Sequence, residues 1–154
     1  MARELWLLRH GEAEPTGGPT ADADRRLTPR GEDQARAAGR MLERLGVRFD
    51  LIATSPKTRA VQTAQLAAEP LGVELTVHEP LADGFDLDDA LELSAMVGDS
   101  GYVLAIGHNP DFAQVVADLT GARAHLGTGA IAAMRLRAVI GELRLLVRPL
   151  DLAG

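Results

Sequence analysis

The sequence predicts an α/β fold: a three-layer sandwich, with a mostly parallel central sheet flanked by helices and a C-terminal antiparallel hairpin. Three observations carry this. Short apolar runs alternate with amphipathic stretches of helical period as far as Thr120, the pattern of strand–helix–strand units. Three of the apolar runs stop abruptly at polar junctions that each open a helix. Ala130 to Arg137 and Glu142 to Arg148 instead alternate with period two around Gly141, which reads as a hairpin with Met134 and Leu136 inward and Arg135 and Arg137 outward.

Composition bounds the rest. At 154 residues and 46% hydrophobic, the chain suits one domain over residues 1–154, with a real core. A net charge of −6, with arginines scattered and Lys57 the single lysine, argues against nucleic acid as a main partner. The absence of cysteine removes disulfides, Cys-ligated metals and any thiolate nucleophile, so a cysteine-dependent phosphatase is excluded. No apolar run approaches membrane-spanning length, and Leu5 to Leu8 is too short for a signal-peptide core. The expectation is a soluble cytoplasmic protein with no membrane partner. There is no internal repeat, linker or low-complexity segment, and nothing reports the oligomeric state.

The elements follow in order. Leu5 to Leu8 is long enough for a buried strand and too short for a helix, and Gly11 allows a sharp turn after Arg9-His10. A loop rich in Gly, Pro, Thr and Asp spans Glu12 to Leu27. Thr28-Pro29 reads as an N-cap and first helical position, with a helix to about Leu45 that Gly46 closes in a left-handed conformation. Its inner face is Ala35, Ala38, Leu42 and Leu45. Asp50 to Thr54 is a second strand. Ser55-Pro56 repeats the cap-then-proline pattern for a helix to about Ala68, with Val61, Ala64 and Ala68 inward. Val73 to Val77 is a third strand, His78 to Asp89 an acidic loop, and Ala90 to Val97 a short helix. Tyr102 to Ile106 is a buried strand. After it, Asn109-Pro110 opens a helix to Thr120 that buries Ala113, Val116 and Leu119 and stops at Gly121.

The junctions carry the chemistry. Arg9-His10, Arg59 and His108 all fall where a strand ends and a helix begins, the edge at which open α/β sheets keep their ligand sites. Two guanidinium forks and two imidazoles converging there match a tetrahedral dianion. Arginine donates to phosphate oxygens bidentately, and a neutral imidazole can attack phosphorus or donate to developing charge. The helix N-termini at Ser55 and Asn109 add positive dipole ends.

On these residues the chain resembles the histidine phosphatase superfamily, of phosphoglycerate mutase-like fold. The matching segments are Leu8-Arg9-His10-Gly11-Glu12, Ser55-Pro56-Lys57-Thr58-Arg59-Ala60 with Gln62-Thr63, and Gly107-His108-Asn109-Pro110. The short length is similar to the SixA-type phosphohistidine phosphatases. Asp22 with Arg25-Arg26-Leu27-Thr28-Pro29-Arg30-Gly31 resembles their loop before the first long helix, and Thr128-Gly129-Ala130-Ile131-Ala132 the start of their late strand.

The resemblance implies a metal-independent hydrolase without a cofactor. His10 is then the nucleophile and forms a phosphohistidine intermediate that water hydrolyses. Arg9, Arg59 and His108 hold the phosphoryl oxygens, and Arg25 is a further cation on the phosphate side. Larger members carry a proton donor on an inserted segment, or an Asp after the second histidine. Here the insert is absent and Asn109 follows His108. SixA-type enzymes tend to have a proline where this chain reads Leu81-Ala82-Asp83-Gly84, so Asp83 is either a proton donor peculiar to this chain or a loop carboxylate.

Other readings are weighed against these. His78 and His125 have no partners in pattern and read as surface or packing residues. Glu12 and Glu14 beside His10 could suggest a metal, but no His-x-His or His-Glu-x-x-His spacing supports one. The substrate is a phosphohistidine-containing protein or a small phosphate ester. A non-catalytic phosphate-binding module is the alternative from another class.

Overall fold

Strand β1 (Arg3–Arg9) has no polar face: Leu5 to Leu8 are all buried. A strand buries both faces only where a layer covers each. In the computed structural model, which describes residues 2–153, β1 lies inside a six-stranded sheet. Its fellows are β2 (Leu51–Thr54), β3 (Leu75–Val77), β4 (Tyr102–Gly107), β5 (Ile131–Arg137) and β6 (Ile140–Val147), in the order β3-β2-β4-β1-β5-β6. The first four are mutually parallel; β5 runs antiparallel to β1, and β6 to β5. The expected sandwich with its C-terminal antiparallel pair is what the chain builds.

Alternation along the strands sorts side chains into two cores. Leu5, Leu7, Val103, Ala105, Ala132 and Met134 face helices α3 (Leu87–Ser94) and α4 (Asp111–Thr120). Trp6, Leu8, Ile52, Leu104 and Ile106 face α1 (Pro29–Leu45) and α2 (Thr58–Ala68). The second core is alanine-rich because α1 and α2 touch through their backbones. A Cβ on Gly39 would lie 2.6 Å from the Ala67 carbonyl oxygen.

Helix α1 begins and ends as its caps direct. Thr28 accepts from the Gly31 amide, Pro29 follows, and Gly46 closes the helix at φ 70°. Elsewhere boundaries move. Helix α2 starts at Thr58, not after Ser55-Pro56, because the Ser55 hydroxyl caps no helix; it accepts from the Lys57 amide and meets His108. Its buried face is Ala60, Ala64 and Ala67, with Val61 only half-buried. Helix α3 starts at Leu87, three residues early, where Asp86 and Asp89 form a reciprocal capping box inside the supposed loop. Helix α4 starts at Asp111 and buries Phe112 and Val115, while Ala113 is half-buried. The hairpin turns at Ala138-Val139, with Ala138 at φ 54°. Gly141 is paired with Leu136 inside β6, and a Cβ there would lie 3.2 Å from Leu119 of α4.

Because β1, β2 and β4 are parallel, their carboxyl ends share one edge. The ladder continues one residue further there: the His10 amide donates to the Gly107 carbonyl and the Ser55 amide to the Ile106 carbonyl, at 3.0 and 2.9 Å. Gly11 has no positive φ, so the expected sharp turn is not its purpose. It is glycine because the loop lies against the start of α1. A Cβ on Gly11 would sit 2.4 Å from the Gly31 carbonyl oxygen, and one on Gly31 only 2.0 Å from that of Glu12.

Candidate active site

His10 is fixed by its own backbone and ring. Its carbonyl accepts from the Gly129 amide at 3.0 Å, and its Nδ1 lies 2.7 Å from the Gly11 carbonyl oxygen. A carbonyl can only accept, so Nδ1 carries the proton and Nε2 keeps a free lone pair. The ring is 8% exposed. Burial, with the charges of Arg59, Arg9 and Arg25, pushes its pKa down to about 4 against the opposing effect of the Gly11 hydrogen bond. His10 is therefore a neutral imidazole at neutral pH.

His108, immediately after β4, stands beside it with ring centroids 5.1 Å apart and planes tilted by 55°. Its Nε2 lies 2.8 Å from the Ser55 hydroxyl. Burial, His10, Arg59 and Lys57 lower its pKa to about 3, with Asp83 acting the other way.

The guanidiniums flank the imidazoles. Arg9 donates through Nη1 to the Leu126 carbonyl at 2.9 Å; Arg59 donates through Nη1 to the Asp22 carbonyl at 2.8 Å and reaches the Asp22 carboxylate at 3.5 Å. Burial is the largest influence lowering the pKa of both, and Arg59 adds to it for Arg9. Arg25 pairs with the Asp22 carboxylate and donates to the Glu14 carbonyl. Asp22 thus touches Arg25, Arg59 and, at 3.5 Å, Lys57. Asp83 is exposed at the rim, where its carboxylate sits 2.8 Å from the Lys57 ammonium. That hydrogen bond and charge hold Asp83 below the usual carboxylate range.

Sequence reasoning gave no role to the residues that hold this set in place, although Asn109, Thr63 and Asp22 lie in the segments that carry the resemblance. The Leu126 carbonyl accepts from both Arg9 and the Asn109 side-chain Nδ2, and the Asn109 Oδ1 accepts from the Ala113 amide in α4. Asn109 therefore ties the loop before β5 to the start of a helix. Gln34, 1% exposed, accepts from the Glu12 amide and donates to Thr128. Thr63 accepts from the Gly11 amide and donates to the Arg59 carbonyl, which links His10's anchor to the helix bearing Arg59. A polar Gln inside an apolar helix face was the available signal for Gln34. Asp22 had none beyond its loop. Glu12 and Glu14 are engaged with Thr28 and the Arg26 amide, His78 is half-buried and His125 exposed. Among the described residues no three His, Asp or Glu side chains are grouped closely enough to hold a metal ion.

Five buried side-chain polar atoms lack a hydrogen-bond partner among the described residues, and three of them, Arg9 Nε, Arg59 Nε and His108 Nδ1, belong to this cluster. Buried polar atoms are normally satisfied. Three together, with two guanidinium charges, suit one compact anion with several acceptor oxygens.

These features define an α/β protein with two imidazoles and two guanidiniums gathered at the carboxyl edge of its sheet, a candidate anion site. A model of the histidine phosphatase superfamily (branch 1) matches residues 5–87, and the chain belongs to that superfamily. An uncharacterized protein of Picosynechococcus is 38% identical over 115 residues, covering 72% of this chain and 69% of that one. The 2,3-bisphosphoglycerate-dependent phosphoglycerate mutase of Thermobifida fusca is 44% identical over 71 residues, 45% of this chain but only 29% of the mutase. Among solved structures, the protein histidine phosphatase SixA complexed with tungstate superposes with a TM-score of 0.86 at 26% identity, over 97% of this chain and 99% of that one. A putative alpha-ribazole-5'-P phosphatase from Escherichia coli, 21% identical with a TM-score of 0.79 over 95% and 96% of the two chains, shares the fold.

Proposed function

We propose that the protein is a phosphatase that works through a phosphohistidine intermediate on His10 and acts on a phosphohistidine-containing protein. The observation that carries the site assignment is the set of three unpartnered buried nitrogens, Arg9 Nε, Arg59 Nε and His108 Nδ1, beside a histidine whose free nitrogen is Nε2. Superfamily membership supports phosphoryl transfer, and the full-length likeness to a protein histidine phosphatase supports the substrate.

In the first step the His10 Nε2 lone pair attacks phosphorus. A P–N bond forms as the bond to the leaving group breaks, and that group departs with the bonding electrons. In the second, water attacks the phosphoryl-imidazole, His10 is regenerated with its lone pair, and phosphate leaves. Arg9, Arg59 and the His108 N–H stabilise charge on the equatorial oxygens throughout, the main source of catalysis in phosphoryl transfer.

The leaving group decides the substrate. An alkoxide needs a proton in the transition state, whereas imidazole leaves far more readily. Lys57 holds Asp83 ionised, and the cations around Asp22 do the same for its carboxyl against the opposing effect of burial. Glu12 accepts from Thr28 at the start of α1 and Glu14 from the Arg26 amide before it, which leaves no carboxylic acid poised beside the phosphoryl site. The proton-donor role for Asp83 is accordingly set aside, and Arg25 is assigned to holding Asp22 and the loop. The test is turnover of a phosphohistidine peptide, an aryl phosphate and an alkyl phosphate in the presence of a chelator. Phosphohistidine and aryl phosphate should turn over, alkyl phosphate weakly, and His10→Ala should abolish turnover while vanadate still binds. Acid-labile, base-stable label should appear on rapidly quenched wild type. Activity persisting in His10→Ala refutes the mechanism; preference for the alkyl ester refutes the substrate.

A further inference from the structure

Ser55 is completely buried at the end of β2, and its hydroxyl oxygen has two polar neighbours: the Lys57 amide at 3.2 Å and His108 Nε2 at 2.8 Å. The amide can only donate, so the hydroxyl oxygen accepts there. Toward His108 there are two possible arrangements. If the ring donated from Nε2, the hydroxyl proton would have no acceptor in a dry interior, a cost of about 1–3 kcal/mol. His108 Nδ1 would then present a bare lone pair to the phosphoryl oxygens. If the hydroxyl donates to Nε2, every group is used: Ser55 is satisfied on both sides, and the single proton of the neutral ring sits on Nδ1.

We infer that Ser55 is a positioning residue that fixes the proton of His108 on Nδ1 and so turns that ring into a phosphoryl-oxygen donor. This rests on the phosphatase reading above and deepens it. His10 and His108 then hold the same tautomer and use it in opposite ways. His10 spends its Nδ1–H on the Gly11 carbonyl and presents a lone pair; His108 spends its Nε2 lone pair on Ser55 and presents an N–H. The serine before Pro56 thus serves the neighbouring strand's histidine in place of the helix that follows it.

The test is side-chain nitrogen NMR on histidine-labelled protein at neutral pH, without substrate, beside kcat/KM for an aryl phosphate. Wild-type His108 should give the Nδ1–H signature. Ser55→Ala should move it toward Nε2–H and lower kcat/KM about ten- to a hundredfold, less than outright loss of a charge-stabilising donor. Ser55→Thr, which keeps the hydroxyl, should retain the signature and most of the activity. A wild-type Nε2–H signature overturns the inference, and this arm stands even if Ser55→Ala does not fold. An unchanged signature in Ser55→Ala, with activity within about threefold on that scale, overturns it as well. The NMR arm needs no turnover, so its failure is distinguishable from failure of the His10 mechanism.

Discussion

Acidification should expose how His10 is held. Its pKa lies near 4 in the folded protein, against 6.5 for an ordinary histidine. Because the folded value is the lower one, the unfolded chain takes up a proton first as pH falls. Folding therefore loses stability below about pH 6.5, and the loss is complete only below pH 4. At 1.36 kcal/mol per pH unit, the interval from 6.5 to about 4 corresponds to about 3 kcal/mol in full, of which about 2 kcal/mol is already lost at pH 5. Many carboxylates also titrate in this range, so the contribution is isolated by difference. Urea unfolding of wild type and His10→Asn at pH 7 and pH 5 should show the stability gap shifting by about 2 kcal/mol in favour of the variant at the lower pH. His10's own ring resonances should stay in the neutral form down to about pH 5. A gap that does not move, or a ring that titrates near 6.5, refutes the account of His10 as a desolvated imidazole among cations.

Further outcomes follow from single contacts. Arg59→Ala should lower kcat about a hundred- to a thousandfold and Arg59→Lys less, because lysine keeps the charge and loses the fork; an Ala variant within about threefold would make Arg59 structural. Gly31→Ala places a Cβ 2.0 Å from the Glu12 carbonyl oxygen, so loop and helix must separate by about 1 Å. That should cost about 1–3 kcal/mol in chemical denaturation and reduce activity through the Gly11 anchor, whereas Gly98→Ala, with open space around it, should stay within about 0.5 kcal/mol of wild type. Asp83→Asn should leave kcat/KM for phosphohistidine unchanged, and a tenfold or greater loss on an alkyl phosphate would restore Asp83 as a general acid.

What could be read from sequence depended on how local the cause was. The strands at Leu5–Leu8 and Tyr102–Ile106, and the Thr28-Pro29 and Gly46 ends of α1, each follow from a few neighbouring residues, and the structure places them as expected. The junction residues Arg9, His10, Arg59 and His108 come together because parallel strands share an edge, which alternation alone implies. The misreadings arose where a partner distant in sequence took a residue away from its local role. Ser55 looks like a cap until His108, 53 positions on, engages its hydroxyl. Gly141 looks like a turn until α4 is laid against it, and Gly11 like a hinge until Gly31 arrives. Asp22 and Asn109 lie in segments that carry the family resemblance, but their contacts could not be read there, since each acts through carbonyls and guanidiniums that only tertiary structure brings near.

The contacts of Asp22 have a consequence for turnover. In the resting protein this carboxylate already lies against Arg59, Arg25 and Lys57, so the cations face a built-in counter-anion and not one another alone. On the proposed phosphatase reading, arrival of a phosphoryl group is then an exchange of anions at Arg59, not the filling of a bare positive hole. In the same reading the exchange runs backward once phosphate is free: the Asp22 carboxylate competes for the same guanidinium. Because Asp22 is tethered, its effective concentration does not fall with dilution, and it works against retention of the product with every cycle.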